Sequence, residues 1–118
     1  MFDEDKEKIE KIIKDRKHAH SFYLKNSEVY KSFVKLEETT FTDGNLKKKI
    51  KELIALGISI VINCESCIEW HLNEAIKSGA NFKEIIEAIE VGIEMGGGPA
   101  TVSSRFALKV LEYYKIKS

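Results

Sequence analysis

The sequence contains one proline, two cysteines and no excess of either charge. Its 19 basic and 19 acidic residues cancel, and no block of one sign is long enough for a nucleic-acid or membrane-surface footprint. No run of about eighteen apolar residues occurs, and residues 1–16 do not resemble a secretory signal. We therefore expect a cytoplasmic protein that binds neither nucleic acid nor membrane.

The scarcity of proline and of alternating strand patterns favours helices throughout, because apolar residues recur at helical spacing. We predict an all-α, single-domain fold over residues 1–118, with five to six helices. They run from about Asp3 to Arg16 or slightly further; from Ser27 to Leu36; from a cap at Thr42 or Asp43 to about Ile62; from Asn63–Cys67 to near Gly79; from Asn81 through Ile93; and from Pro99 onwards.

Several helix ends carry recognisable capping residues. Ser27 suits an N-cap, and Asn81 with Glu84 forms a capping-box pair. Gly79 suits the left-handed position after a helix, and the glycine run 96–98 should stop the fifth helix. A chain of 118 residues can bury a core without disulfide staples, so the cysteines are available for chemistry.

The two cysteines, Cys64 and Cys67, are three residues apart at the predicted start of a helix. Side chains at i and i+3 share a helix face, so their sulfurs can join. The partial positive charge of a helix N-terminus favours the thiolate, which is the nucleophile. In a reducing compartment such a pair is typical of redox or metal chemistry rather than of a permanent bridge.

His71 lies on the same helix face as both cysteines, four residues after Cys67. An imidazole there can take or hold a thiol proton. Glu52 precedes the apolar residues 53–56, where a buried carboxylate needs a partner, and His71 would be that partner. The basic run Lys47–Lys51 is interpreted as a solvated helix face without a function.

The spacing of the four candidate site residues resembles that of the alkylhydroperoxidase D-like branch of the carboxymuconolactone decarboxylase superfamily. Eleven residues separate Glu52 from Cys64, two separate Cys64 from Cys67, and three separate Cys67 from His71. The likeness extends over residues 46–90, within a motif core of about 45–98. It implies an all-helical homo-oligomer, a trimer or hexamer, that reduces peroxides or exchanges disulfides and needs no cofactor beyond its dithiol. The partners would be a small peroxide or a disulfide-bearing redox protein.

By this resemblance Cys67 attacks peroxide, Cys64 resolves the sulfenic acid, and His71 with Glu52 forms the proton relay. The position of Cys64 at a helix terminus favours Cys64 as the attacking sulfur instead; we adopt Cys67. Family members can carry a histidine between the cysteines, where this chain has Ser66. That difference favours disulfide exchange over peroxide turnover.

Two other functions compete with this interpretation. The thiolates and His71 could bind structural zinc, with His18 or His20 as fourth ligand, in a non-enzymatic or redox-sensing oligomeric module. A lactone decarboxylase without redox chemistry ranks last, because that branch of the superfamily generally lacks the cysteine pair.

Overall fold

The computed structural model describes residues 1–118 and contains six α-helices and no β-strand. The helices are α1 (Asp3–Asn26), α2 (Glu28–Thr40), α3 (Lys48–Val61), α4 (Glu65–Lys77), α5 (Phe82–Gly96) and α6 (Gly98–Tyr113). The prediction of an all-α fold with five to six helices is confirmed. None of the helices is both long enough and apolar enough to cross a membrane.

Most of the predicted helix ends are where the sequence placed them. Ser27 caps α2 by accepting the Tyr30 N–H, and Gly79 follows α4 at a φ of 98°. Both hydrogen bonds of the Asn81–Glu84 capping box are present at the start of α5. These ends are set locally, because side chains three residues apart satisfy the free backbone groups of a first turn.

Three boundaries differ from the prediction. Helix α2 continues to Thr40 rather than ending at Leu36. Helix α1 continues to Asn26 rather than ending near Arg16, since no glycine or proline interrupts the stretch between them. Helix α3 begins at Lys48, so neither Thr42 nor Asp43 is its N-cap residue. Asp43 nevertheless accepts the Lys48 N–H at 2.7 Å from five residues away, which gives α3 a cap that helical spacing does not reveal.

The core lies between α3, α4, α5 and α6, and α1 packs across α4 and α6. Helices α3 and α5 approach so closely that a Cβ on Gly92 would lie 2.8 Å from the Gly57 carbonyl oxygen. This contact requires glycine and brings the two backbones together. The largest fully buried apolar side chains are Ile9, Leu56, Ile60, Ile68, Leu72, Ile85 and Val110.

Two apolar surfaces remain uncovered. Helix α2 packs on α1 and has no buried residue, although it carries Val29, Phe33 and Leu36. A second surface, here called the α3–α5 apolar surface, surrounds a groove of about 590 Å³ between those helices. Its exposed members are Ile50, Ile54, Ile58, Val61, Val91 and Met95.

Candidate active site

The two cysteines lie at the start of α4 and are joined by a disulfide, with their Cα atoms 5.2 Å apart. Cys64 is the N-cap residue and Cys67 is in the first turn. The Cys67 N–H donates to the Cys64 sulfur over 3.2 Å. The Cys64 sulfur therefore occupies the position of a capping oxygen, where an N–H of the first turn is available to stabilise negative charge.

Helices α3 and α4 bring Glu52 and His71 together. The Glu52 Oε1 atom lies 2.7 Å from His71 Nδ1, and Glu52 is 1% exposed. The ring of Phe41, from the turn after α2, stacks on the imidazole with centroids 5.2 Å apart. Two contacts therefore fix the orientation of His71, one through its Nδ1 atom and one through its ring face.

Lys48 completes the environment of the buried carboxylate. Its Nζ atom lies 2.6 Å from Glu52 Oε2 and 3.2 Å from Glu74 Oε1. The interpretation of the Lys47–Lys51 run as a wholly solvated face is wrong at this position. Lys48 precedes Glu52 by one helical turn, so the i, i+4 spacing of opposite charges was the signal that could have revealed the pair.

The charges of this cluster are set by competing effects. Burial raises the pKa of Glu52, but hydrogen bonds from His71 and Lys48 outweigh it and hold that pKa below its usual value. Burial lowers the pKa of Lys48, but hydrogen bonds to Glu52 and Glu74 outweigh burial and hold that pKa above its usual value. Because an ionised Glu52 can only accept, Nδ1 of His71 carries a proton and Nε2 is the acceptor of the neutral ring.

A cleft of about 780 Å³ opens beside this cluster, between the end of α2 and helices α3 and α4. Phe41, Lys48, Glu52, Trp70 and Glu74 are among its lining residues, and the two cysteines are not. Glu52 is therefore adjacent to open space, and the cysteine pair lies outside the lining of this cleft.

A second buried carboxylate lies on α4, and the sequence analysis did not identify it. Glu69 is 1% exposed, and its Oε1 atom lies 2.6 Å from Arg16 Nη1. The Tyr114 hydroxyl donates to the other oxygen, Oε2. No local pattern could have revealed this cluster, because Glu69 and Arg16 are 53 residues apart in sequence.

The histidines considered as zinc ligands lie elsewhere. The Nδ1 atom of His20 lies 2.8 Å from the Tyr30 hydroxyl, between α1 and α2, and His18 is exposed on α1. No group of three or more His, Cys, Asp or Glu side chains is arranged to hold a metal ion. The structure therefore does not join either histidine to the cysteine pair.

Residues 27–110 match the sequence profile of the carboxymuconolactone decarboxylase family. The chain belongs to this family. The match spans α2 to α6 and includes the cysteine pair, His71 and Glu52.

Relatives and solved structures agree with this assignment. Uncharacterized protein 4 in the cox locus of Paracoccus denitrificans is 41% identical over 81 residues, which are 69% of this chain and 73% of that protein. A carboxymuconolactone decarboxylase family protein of Thermotoga maritima superimposes with a TM-score of 0.82 at 30% identity, covering 89% of this chain and 90% of that one. A part in an antioxidative response has been suggested for that protein. A family member from Legionella pneumophila, solved in its apo form, gives 0.78 at 31% identity over 92% and 95% of the two chains.

Proposed function

We propose that this family member is a thiol-dependent oxidoreductase of the alkylhydroperoxidase D-like branch, which cycles the Cys64–Cys67 pair while it reduces peroxides or exchanges disulfides. The observation that carries the proposal is the combination of a disulfide at the start of α4 with an imidazole on the same helix held by a buried carboxylate. A nucleophile, a base and an orienting group in series are what thiol activation requires. The antioxidative role suggested for the Thermotoga relative agrees with this chemistry.

In the first half-reaction the Cys67 thiol gives its proton to Nε2 of His71, and the thiolate attacks one oxygen of the peroxide. The sulfur–oxygen bond forms as the oxygen–oxygen bond breaks, so Cys67 is oxidised to a sulfenic acid and the peroxide is reduced. The leaving alkoxide takes the proton from His71 and departs as an alcohol. Glu52 stabilises the imidazolium that exists between these two proton transfers.

In the second half-reaction Cys64 attacks the oxidised sulfur of Cys67. The disulfide forms, the sulfur–oxygen bond breaks, and hydroxide leaves with the Cys64 proton as water. An external dithiol then returns two electrons and two protons. The same pair can instead attack the disulfide of a partner protein, and Ser66 between the cysteines favours this second use over peroxide turnover.

We also propose that the chain functions as a homo-oligomer, a trimer or hexamer, in the reducing environment of the cytoplasm. Val29 is 82% exposed and Met95 is 72% exposed, and each belongs to one of the two uncovered apolar surfaces. Large exposed apolar patches are typical of subunit interfaces. Light scattering after gel filtration tests this proposal: a mass of three or six chains is expected, and a monomer at micromolar concentration contradicts it.

The experiment on activity combines thiol mapping with turnover. Reduced protein is mixed with an organic hydroperoxide or with a disulfide-bonded protein, and loss of the substrate is followed in the presence of dithiothreitol. Replacing Cys64 or Cys67 with serine should abolish turnover. In the C64S variant, a sulfenic-acid trap should label Cys67, whereas in the C67S variant Cys64 should give little label.

Three outcomes decide the proposal. It is overturned if neither cysteine alkylates at neutral pH and no reversible disulfide forms between them. Near-stoichiometric zinc in protein purified without added metal would favour the non-enzymatic module, since zinc and a cycling dithiol compete for the same thiolates. A double cysteine-to-serine variant that keeps activity on a lactone would assign the chain to the decarboxylase reaction.

A further inference from the structure

Ser66, the residue between the two cysteines, is held by an arginine from a distant part of the chain. Arg16 lies on α1, 50 residues earlier, and its Nη2 atom donates to the Ser66 carbonyl oxygen at 2.9 Å and to Ser66 Oγ at 3.0 Å. Its other terminal nitrogen donates to Glu69 at 2.6 Å, and the guanidinium lies 5.2 Å from the Trp70 ring centroid. One side chain therefore joins α1 to the cysteine segment at several points.

The position of the guanidinium is tightly constrained. Glu69 is 1% exposed, so its charge needs a partner, and a buried carboxylate left without one is costly. The second oxygen of Glu69 is taken by the Tyr114 hydroxyl, which leaves the first oxygen to Arg16. The planar fork of arginine can serve Glu69 with one nitrogen and Ser66 with the other, which a lysine ammonium cannot do in the same geometry.

A single peptide group connects Arg16 to the sulfur of Cys64. The Ser66 carbonyl and the Cys67 N–H belong to the same peptide, and this N–H donates to the Cys64 sulfur. A cation hydrogen-bonded to the oxygen of a peptide polarises it and makes its N–H a stronger donor. A thiolate gains more from a stronger donor than a disulfide sulfur does, because it carries the full negative charge.

We propose that Arg16 is a positioning residue that stabilises the Cys64 thiolate through the Ser66–Cys67 peptide and so makes the disulfide easier to reduce. This inference rests on the proposed redox function of the pair. Reduction by dithiothreitol breaks the Cys64–Cys67 bond and transfers two electrons to the protein, while the reagent becomes its cyclic disulfide. Of the two protons that the reagent loses, Cys67 binds one, and the other is bound by Cys64 or, when Cys64 is a thiolate, released to solvent. Stabilising one product thiolate shifts this equilibrium towards the dithiol.

Other charged groups also face the first turn of α4. Glu65 is paired with Lys8 of α1 at 2.9 Å, and on the α6 side Arg105 and Lys109 line a shallow depression with Glu65. None of these groups is bonded to the peptide that donates to the Cys64 sulfur. On the α3 side, the charged groups of the His71 cluster lie further along α4, where Lys48 contacts Glu74.

The experiment measures the disulfide–dithiol equilibrium in graded mixtures of reduced and oxidised dithiothreitol. For R16Q, the equilibrium should shift towards the disulfide by about threefold to tenfold, which corresponds to about 14–30 mV for a two-electron couple. R16K should recover only part of the shift, because it keeps the charge without the fork. K8Q is the matched control: it removes another α1 cation that binds the first turn of α4, and the wild-type equilibrium should remain.

A second measurement uses the C67S background, in which Cys64 is the only thiol and the N–H of residue 67 is kept. The midpoint of the pH profile for Cys64 alkylation should rise when R16Q is added, and a merely structural Arg16 would not move it. If R16Q lowers stability too far, the double variant R16Q/E69Q keeps a neutral hydrogen-bonding pair and should show the same rise.

The outcomes separate this inference from the proposed function. If the wild-type disulfide cannot be cycled at all, the proposed function fails. If it cycles and R16Q or the double variant leaves both the equilibrium and the alkylation midpoint unchanged, the proposed function stands and the role of Arg16 is refuted. An equal shift in K8Q would also refute it, because general positive charge would then be the cause.

Discussion

Glu52 and Glu69 are both 1% exposed, and each has contacts on α4, but their partners differ in kind. Glu52 contacts the imidazole of His71 and the ammonium of Lys48, next to an open cleft. Imidazole changes its charge near neutral pH, so this carboxylate stabilises a group that can gain and lose a proton during a reaction.

Glu69 is held by Arg16 and Tyr114, neither of which changes its charge near neutral pH. Burial and the hydrogen bond to Glu69 raise the pKa of Tyr114 further above its usual value. Equal burial therefore occurs in two settings on the two sides of α4: the proposed proton relay on one side, and a fixed connection between α1, α4 and Tyr114 on the other.

The largest effect is expected from E69A, on the free energy of unfolding. Removing one partner of a buried pair leaves the Arg16 charge without compensation, which typically costs about 3–5 kcal/mol in the free energy of unfolding. Urea denaturation monitored by circular dichroism measures it. The control is E65A, which removes an exposed carboxylate of the same helix and should cost about 1 kcal/mol or less. Equal losses in the two variants would contradict a fixed connection at Glu69.

E52Q should affect turnover more than it affects folding. The nucleophile and His71 remain, but the imidazolium loses its stabilising charge, so we expect kcat/KM to fall about tenfold to a hundredfold, or about 1.4–2.7 kcal/mol in activation free energy. Peroxide and disulfide assays of the reduced protein provide the measurement. A turnover rate equal to that of the wild type would remove Glu52 from the relay.

Y114F tests the Glu69 side with a smaller change. Losing the hydroxyl that donates to a carboxylate should cost about 1.5 kcal/mol of stability. Because the folded pKa of Tyr114 lies above its usual value of 10.0, its contribution is complete below pH 10.0 and is lost as the pH rises through the folded value. The alkaline limb of the stability curve should therefore be flatter in Y114F, and a limb as steep as that of the wild type argues against this hydrogen bond.

The smallest effect is expected on the loss of stability at acidic pH, and the variant that tests it is E52Q. The pKa of Glu52 in the folded protein is below the usual 4.5, so its stabilisation is present above pH 4.5 and is lost as the pH falls through the folded value. Thermal unfolding from pH 6 down to pH 3 should thus show a shallower decline in E52Q than in the wild type. Glu84, whose pKa is also lowered, leaves a residual dependence in both proteins.

The sequence predicted the elements whose causes are local. The Asn81–Glu84 capping box and the left-handed Gly79 follow from a few neighbouring residues. The contact of Glu52 with His71 also followed, because a carboxylate beside an apolar stretch needs a partner and the spacing offered one.

The rest depends on distant pairings that spacing cannot reveal. Arg16 reaches Ser66 because α1 packs on α4, and the spacing of residues along α1 gives no indication of that pairing. Phe41 lies between the second and third predicted helices, where a stacking contact with His71 has no periodic signal. The pairing of Lys48 with Glu52 could have been predicted from their i, i+4 spacing, but Lys48 lies in a run of lysines that we interpreted as a solvated face.

The close approach of α3 and α5 affects the position of Glu52, the carboxylate of the proposed proton relay. Gly92 bears no reactive group, yet a methyl group there would collide with the backbone of α3 at the Gly57 carbonyl. Glu52 lies on α3, five residues before that carbonyl, so a displaced α3 would move the carboxylate and alter its 2.7 Å contact with His71. The geometry of the proposed proton transfer thus depends in part on the absence of a single carbon atom on a different helix.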